Sequence, residues 1–135
     1  MIFLDTTYLL AVANPRDGLF ERAQAWARKI TERLLVTEYV LCEVVNAYSM
    51  PADRAKAHEI VASVRFGSDC EYVSAGSELF EAGLQLHAVR PDKEWSLTDC
   101  ISFVVMEQRA ITQALTYDHH FEQAGLDALL RRDPT

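Results

Sequence analysis

The strongest constraint on the fold is a recurring pattern: short apolar runs, each followed within a few residues by a segment of helical periodicity. The runs are Ile2–Leu4, Leu34–Thr37, Cys70–Val73 and residues 114–116. They are the length of buried strands rather than helices. Helical spacing of apolar residues is expected over 8–12, 19–30, 38–48, 52–66, 77–88 and 98–109, with one further turn over 118–124. Asn14-Pro15-Arg16-Asp17-Gly18 and Pro51 punctuate the pattern, residues 91–97 form a loop, and Thr98 is the expected cap of the helix that follows. Strands alternating with helices imply an α/β fold with a mainly parallel sheet covered on both faces, because each parallel crossover lays its helix over the sheet.

Length and composition fit a single domain over residues 1–135, half of whose residues are hydrophobic, with residues 131–135 expected as a loose tail. The start, Met-Ile-Phe-Leu-Asp, has no basic leader, so no signal peptide is expected. No apolar run approaches the ~20 residues of a membrane span. Cys42, Cys70 and Cys100 are odd in number and widely spaced, which points to free thiols and a reducing cytoplasm. The net charge of -7, from 20 acids and 13 bases, argues against a protein that coats nucleic acid through clustered Lys and Arg. It leaves room for an enzyme that meets its substrate through bound cations, and for a basic protein partner.

Four acids stand out by position. In a parallel α/β sheet, ligands bind at the carboxyl ends of the strands. Asp5 closes the first run, Glu43 lies about one turn into the helix after the second, Asp99 opens the helix after the 91–97 loop, and Asp118 follows the fourth run. All four therefore fall on one rim, whereas Asp69 and Asp127 precede strands and belong to the opposite edge. Asp5, Glu43 and Asp99 also sit in apolar surroundings, where an acid without a partner is costly. Converging carboxylates with no Lys or Arg beside them in sequence repel one another, and a hard divalent cation such as Mg²⁺ or Mn²⁺ relieves that repulsion.

Each acid also has an ordinary structural use. Asp5 can end a strand in a turn, and Asp99 and Asp118 suit helix starts. Glu38 competes with Glu43, since it lies nearer the strand end; spacing alone leaves the two open. Thr6 and Thr116 stand beside acids and are candidates to hold them by hydrogen bond. Asn46, one turn from Glu43, is a candidate for the same supporting role, and Ser96 and Thr98, near Asp99, are candidates as caps or acid-orienting hydroxyls. His119 and His120 are expected to point in different directions and not to act together as ligands. Trp26 and Phe103 fit core or interface positions.

These segments, taken in order, resemble the PIN domain: Asp5-Thr6-Thr7 after an apolar strand, Glu43 with Asn46, Trp95-Ser96-Leu97-Thr98-Asp99-Cys100, and Thr116-Tyr117-Asp118-His119-His120-Phe121. Within that family the likeness is to VapC-type toxins of prokaryotic toxin–antitoxin systems, and it spans residues 2–130. The resemblance implies a three-layer α/β/α sandwich and a Mg²⁺- or Mn²⁺-dependent endoribonuclease. It also implies frequent homodimers and an antitoxin whose basic segment blocks the site. It selects Glu43 over Glu38. The catalytic set it implies is Asp5, Glu43, Asp99 and Asp118, with Asp5, Asp99 and Asp118 as metal ligands and Glu43 as a further ligand or the group orienting water. Two alternatives stand beside it within the family: an RNA-processing or decay nuclease, and a catalytically silent binding module. A phosphatase using Asp5 as nucleophile fits less well, because Thr7 occupies the place of its second acid.

Overall fold

The computed structural model describes residues 1–135. Strand β1 (Ile2–Leu4) leads into α1 (Thr6–Ala13) and α2 (Phe20–Lys29); β2 (Leu34–Thr37) leads into α3 (Glu38–Ala47) and α4 (Arg54–Arg65). Then come β3 (Cys70–Val73), α5 (Ser77–Val89), α6 (Leu97–Gln108), β4 (Gln113–Leu115), α7 (His119–Gln123) and β5 (Asp127–Ala128). The sheet has five strands in the order β3-β2-β1-β4-β5, and every neighbouring pair is parallel. The expected mainly parallel sheet is thus wholly parallel, and the two-residue edge strand β5 adds to the four runs. Asp127 pairs with Gln113 at the start of β4, on the edge away from the four acids.

The helices pack as two groups, α1 with α2 and α3, α3 with α4, and α6 with α5 and α7. Right-handed crossovers place the first four on one face and the last three on the other, giving three layers. Gly83 lets α5 approach α6, since a Cβ there would lie 2.4 Å from Ile101 Cγ1. No helix is long and apolar enough to cross a membrane.

Two expectations change. Ser96, not Thr98, caps α6: its hydroxyl accepts from the Asp99 N–H at 3.0 Å, and Asp99 Oδ2 accepts from the Ser96 N–H at 3.1 Å. The spacing Ser-x-x-acid closes this reciprocal box only from position 96. The segment expected to be loose is tethered. Arg131 Nη1 donates to the Tyr117 carbonyl at 2.9 Å, Trp26 Nε1 donates to the Arg132 carbonyl at 2.9 Å, and Asp133 pairs with Arg22 at 2.9 Å.

An aromatic ladder joins the elements that carry the acids. Trp95 meets Phe103 edge-on at 5.0 Å, Phe103 meets Phe121 edge-on at 5.0 Å, and Phe121 lies 6.2 Å from Phe3. Phe3 and Phe121 are fully buried, so the ladder links β1, α6 and α7 through the core. Each such pair adds about 0.5–1.5 kcal/mol beyond the area it buries. The effect is to hold Asp5, Asp99 and Asp118 at fixed relative positions.

Candidate active site

The order β3-β2-β1-β4-β5 reverses direction at β1, where one crossover leaves toward β2 and another returns to β4. A crevice opens at the carboxyl ends of strands at such a switch point. Asp5 follows β1 there, and Thr116 to Asp118 follow β4. A cleft of about 690 Å³ occupies this place, lined by Asp5, Glu43, Asp99 and Asp118 together with Thr6, Thr7, Asn46, Ala47, Glu94, Ser96 and His120. All four acids singled out in the sequence thus share one cleft, and no Lys or Arg lines it.

Glu38 lies elsewhere. Its Oε1 accepts from the Ala75 N–H at 2.6 Å, and it borders a separate groove between α3 and α4. Thr98 does not line the cleft either, and Asn46 lines it while remaining exposed.

The hydrogen bonds to the four carboxylates follow one rule: in each acid they fall on a single oxygen. Asp5 Oδ2 accepts from Thr116 Oγ1 at 2.7 Å and from Thr7 Oγ1 at 3.2 Å. Glu43 Oε1 accepts from Thr6 Oγ1 at 2.7 Å. Asp99 Oδ2 closes the Ser96 cap and lies 3.1 Å from His120 Nδ1. Asp118 Oδ1 accepts from the His120 N–H at 2.9 Å and lies 3.3 Å from His120 Nδ1. One oxygen of each acid is oriented by the protein and its partner oxygen is left uncommitted. Asp99 and Asp118 perform their helix-start roles with one oxygen only.

Burial without a cation shows in the acid strengths. Asp5 is buried, and desolvation pushes its carboxyl up to about 6 against the opposing pull of the Thr116 hydrogen bond; Asp99 and Glu43 push it further up. Desolvation also raises Asp99, with the Ser96 backbone working against it and Asp118 adding to it.

Four lining residues lie outside the sequence-based set: Thr7, Ala47, Glu94 and His120. Thr7 donates to Asp5, and its hydroxyl also accepts from the Tyr117 N–H at 3.0 Å. Ser96, within the set, is legible through its box spacing with Asp99. Glu94 comes from the 91–97 loop, whose path no periodicity reveals. His120 is expected from its sequence position to point away from His119, yet the two rings lie 4.5 Å apart. Asp118, His119 and His120 hold their ligand atoms within 4.8 Å of one another, although only Asp118 and His120 line the cleft.

The family model for the PIN domain matches residues 2–126. The chain belongs to the PIN-domain family. This PIN domain is 26% identical over 126 residues to the 23S rRNA-specific endonuclease VapC20 of Mycobacterium tuberculosis, covering 93% of this chain and 95% of the relative. The same match holds for VapC20 in strains CDC 1551 / Oshkosh and H37Rv. The crystal structure of Mycobacterium tuberculosis VapC20, a sarcin–ricin loop cleaving toxin, aligns with a TM-score of 0.86 at 22% identity, over 93% of this chain and 96% of that one. FitAcB from Neisseria gonorrhoeae aligns with a TM-score of 0.67 at 18% identity, over 95% and 96%. The PIN-like α/β architecture is therefore common to all three.

Proposed function

We propose that this PIN domain is a divalent-metal-dependent endoribonuclease and the toxin of a toxin–antitoxin pair. The observation that carries the proposal is the set of four carboxylates in one cation-free cleft, each with one oxygen tied by the protein and one uncommitted. Hard oxygen donors suit Mg²⁺ or Mn²⁺, and the hydroxyls and imidazole behind them act as supports that orient ligands. Asp5, Asp99 and Asp118 would hold the cation. Glu43, oriented by Thr6, would either complete that shell or orient the attacking water. When bound, the cation supplies a lowered pKa for its water and neutralises charge that develops on the phosphate.

The rest belongs to the chain. Thr116 and Thr7 hold Asp5, the Ser96 box and His120 hold Asp99, and the aromatic ladder keeps these elements from drifting apart. A polyanionic backbone would not enter so acidic a cleft unaided, which is a further reason to expect a cation at work there. The likeness to VapC20, itself named as a 23S rRNA-specific endonuclease, supports RNA as substrate.

The same charge argument supports a protein antitoxin whose basic segment places Arg or Lys among the carboxylates, since Arg geometry favours such contacts. Phe80 and Leu84, exposed one turn apart on α5, support a homodimer. Free cysteines at 42, 70 and 100 suit a cytoplasmic setting.

One set of variants tests the assignment by cleavage of RNA in vitro and by growth on induction. Asp5→Asn, Asp99→Asn and Glu43→Gln should each lower cleavage by about 100-fold or more. Each should also relieve growth arrest, while Glu38→Gln behaves as wild type. EDTA-resistant cleavage, or loss of activity in Glu38→Gln but not in Glu43→Gln, would overturn the site.

A further inference from the structure

Tyr117 lies between Thr116, which holds Asp5, and Asp118, which lines the cleft. Among the large hydrophobic side chains left exposed, only Tyr117 is adjacent in sequence to an acid of the cleft, and it is 42% exposed. Its backbone is fixed from two sides: its N–H donates to Thr7 Oγ1 at 3.0 Å and its carbonyl accepts from Arg131 Nη1 at 2.9 Å. The Arg131 guanidinium carbon also lies 4.8 Å from the ring centroid, and Arg131 Nε is steadied by Glu122 at 3.0 Å. An exposed aromatic ring, whose backbone N–H is bonded to the cleft residue Thr7, is thus held in place by a stacked cation, although burial does not require it there.

We propose that Tyr117, backed by Arg131, is a stacking platform for an unpaired base of single-stranded RNA next to the phosphate at the acid cleft. The proposal rests on the ribonuclease reading of that cleft and extends it to how substrate is gripped. The charge balance makes such a platform useful. With -7 overall and no Lys or Arg lining the cleft, capture of phosphates by charge alone is weak. Stacking supplies affinity independent of charge, and it tolerates any base because every base has a π-face. Arg131 pre-orients the ring, so little freedom is lost when a base arrives.

The test is binding of a short single-stranded oligoribonucleotide by the Asp99→Asn chain, followed by fluorescence anisotropy, with a 2-aminopurine walked along the strand. One position should be quenched on binding. Adding Tyr117→Ala should weaken binding by about 5- to 100-fold and abolish that quenching, whereas Tyr117→Phe should keep both. With an abasic nucleotide at the quenched position, adding Tyr117→Ala should no longer change affinity, which a merely structural role for the ring would not produce. Equal affinity with and without the ring on the intact strand, an equal loss on the abasic strand, or no binding to the oligonucleotide overturns the platform. Failure of the nuclease reading has a different signature: wild type binds and quenches with Tyr117 dependence, yet does not cut RNA with Mg²⁺ or Mn²⁺.

Discussion

The two ends of the sheet use the same side chains in opposite ways. At the amino ends of the strands, Asp127 is bridged by Arg132 at 2.6 Å and Glu71 is bound by Arg109. Arg132 holds the Asp127 carboxyl below its ordinary range, and Arg109 does the same for Glu71. At the carboxyl ends, Asp5 and Asp99 receive only hydroxyls, backbone N–H groups and a histidine, and burial drives both upward. An acid with a guanidinium beside it stabilises the fold. An acid denied one is poised to bind something positive. The difference separates the cation-paired carboxylates from the proposed site carboxylates more clearly than residue type or sequence position does.

The largest effect that bears on this contrast is the pH dependence of stability without metal. The folded Asp5 carboxyl titrates near 6 against an ordinary value of 3.8. Between those values the native state keeps a proton that the unfolded chain has lost, so stability falls as pH rises through this window. By urea unfolding in EDTA the loss on Asp5's account should reach at most about 3 kcal/mol by neutral pH. Asp99 acts in the same sense. Asp5→Asn should flatten this fall and raise stability at neutral pH. An unchanged pH profile in Asp5→Asn would break the contrast at its acid end.

Metal should act next. Mn²⁺ or Mg²⁺ at 100 times its dissociation constant should add about 2.7 kcal/mol through binding to the native state, read as a rise in melting temperature. Asp99→Asn should blunt that rise, while Asp127→Asn should leave it intact. Equal metal responses in both variants would mean that the two ends do not differ as claimed.

The smallest effect sharpens the comparison from the other side. Arg132→Gln removes a cation from a partly exposed pair, so solvent screening limits the cost to under about 1 kcal/mol. It should leave RNA cleavage and metal response untouched. Its pH signature should be opposite to that of Asp5: the wild-type pair gains stability as pH rises from the lowered folded Asp127 value to the unfolded aspartate value, and that gain should vanish in Arg132→Gln.

Much of this was legible locally. The strand and helix alternation followed from periodicity, and Asp5, Asp99 and Asp118 could be assigned to one rim because each stands at a strand end or helix start. The capping box at Ser96 and Asp99 was also written in the spacing, although Thr98 competes for the role on residue type alone. Other features had no local signature. Thr116 and Asp5 are 111 positions apart, and His120 and Asp99 are 21 apart. No pattern within either segment announces that their side chains meet.

Glu38 and Glu43 mark the boundary most sharply. Five residues apart on one helix, they point about 140° away from each other at 3.6 residues per turn. Which of them faces the cleft depends on how α3 is rolled against the sheet, and the burial of Val40, Leu41 and Val44 sets that roll. The sequence by itself determined the alternating elements and the placement of acids at their joints, because backbone periodicity and capping act over a few residues. Only the tertiary structure decided which carboxylate faces the cleft, which oxygen of each is tied, and which acids go without a cation, because those depend on contacts between residues that the chain keeps far apart.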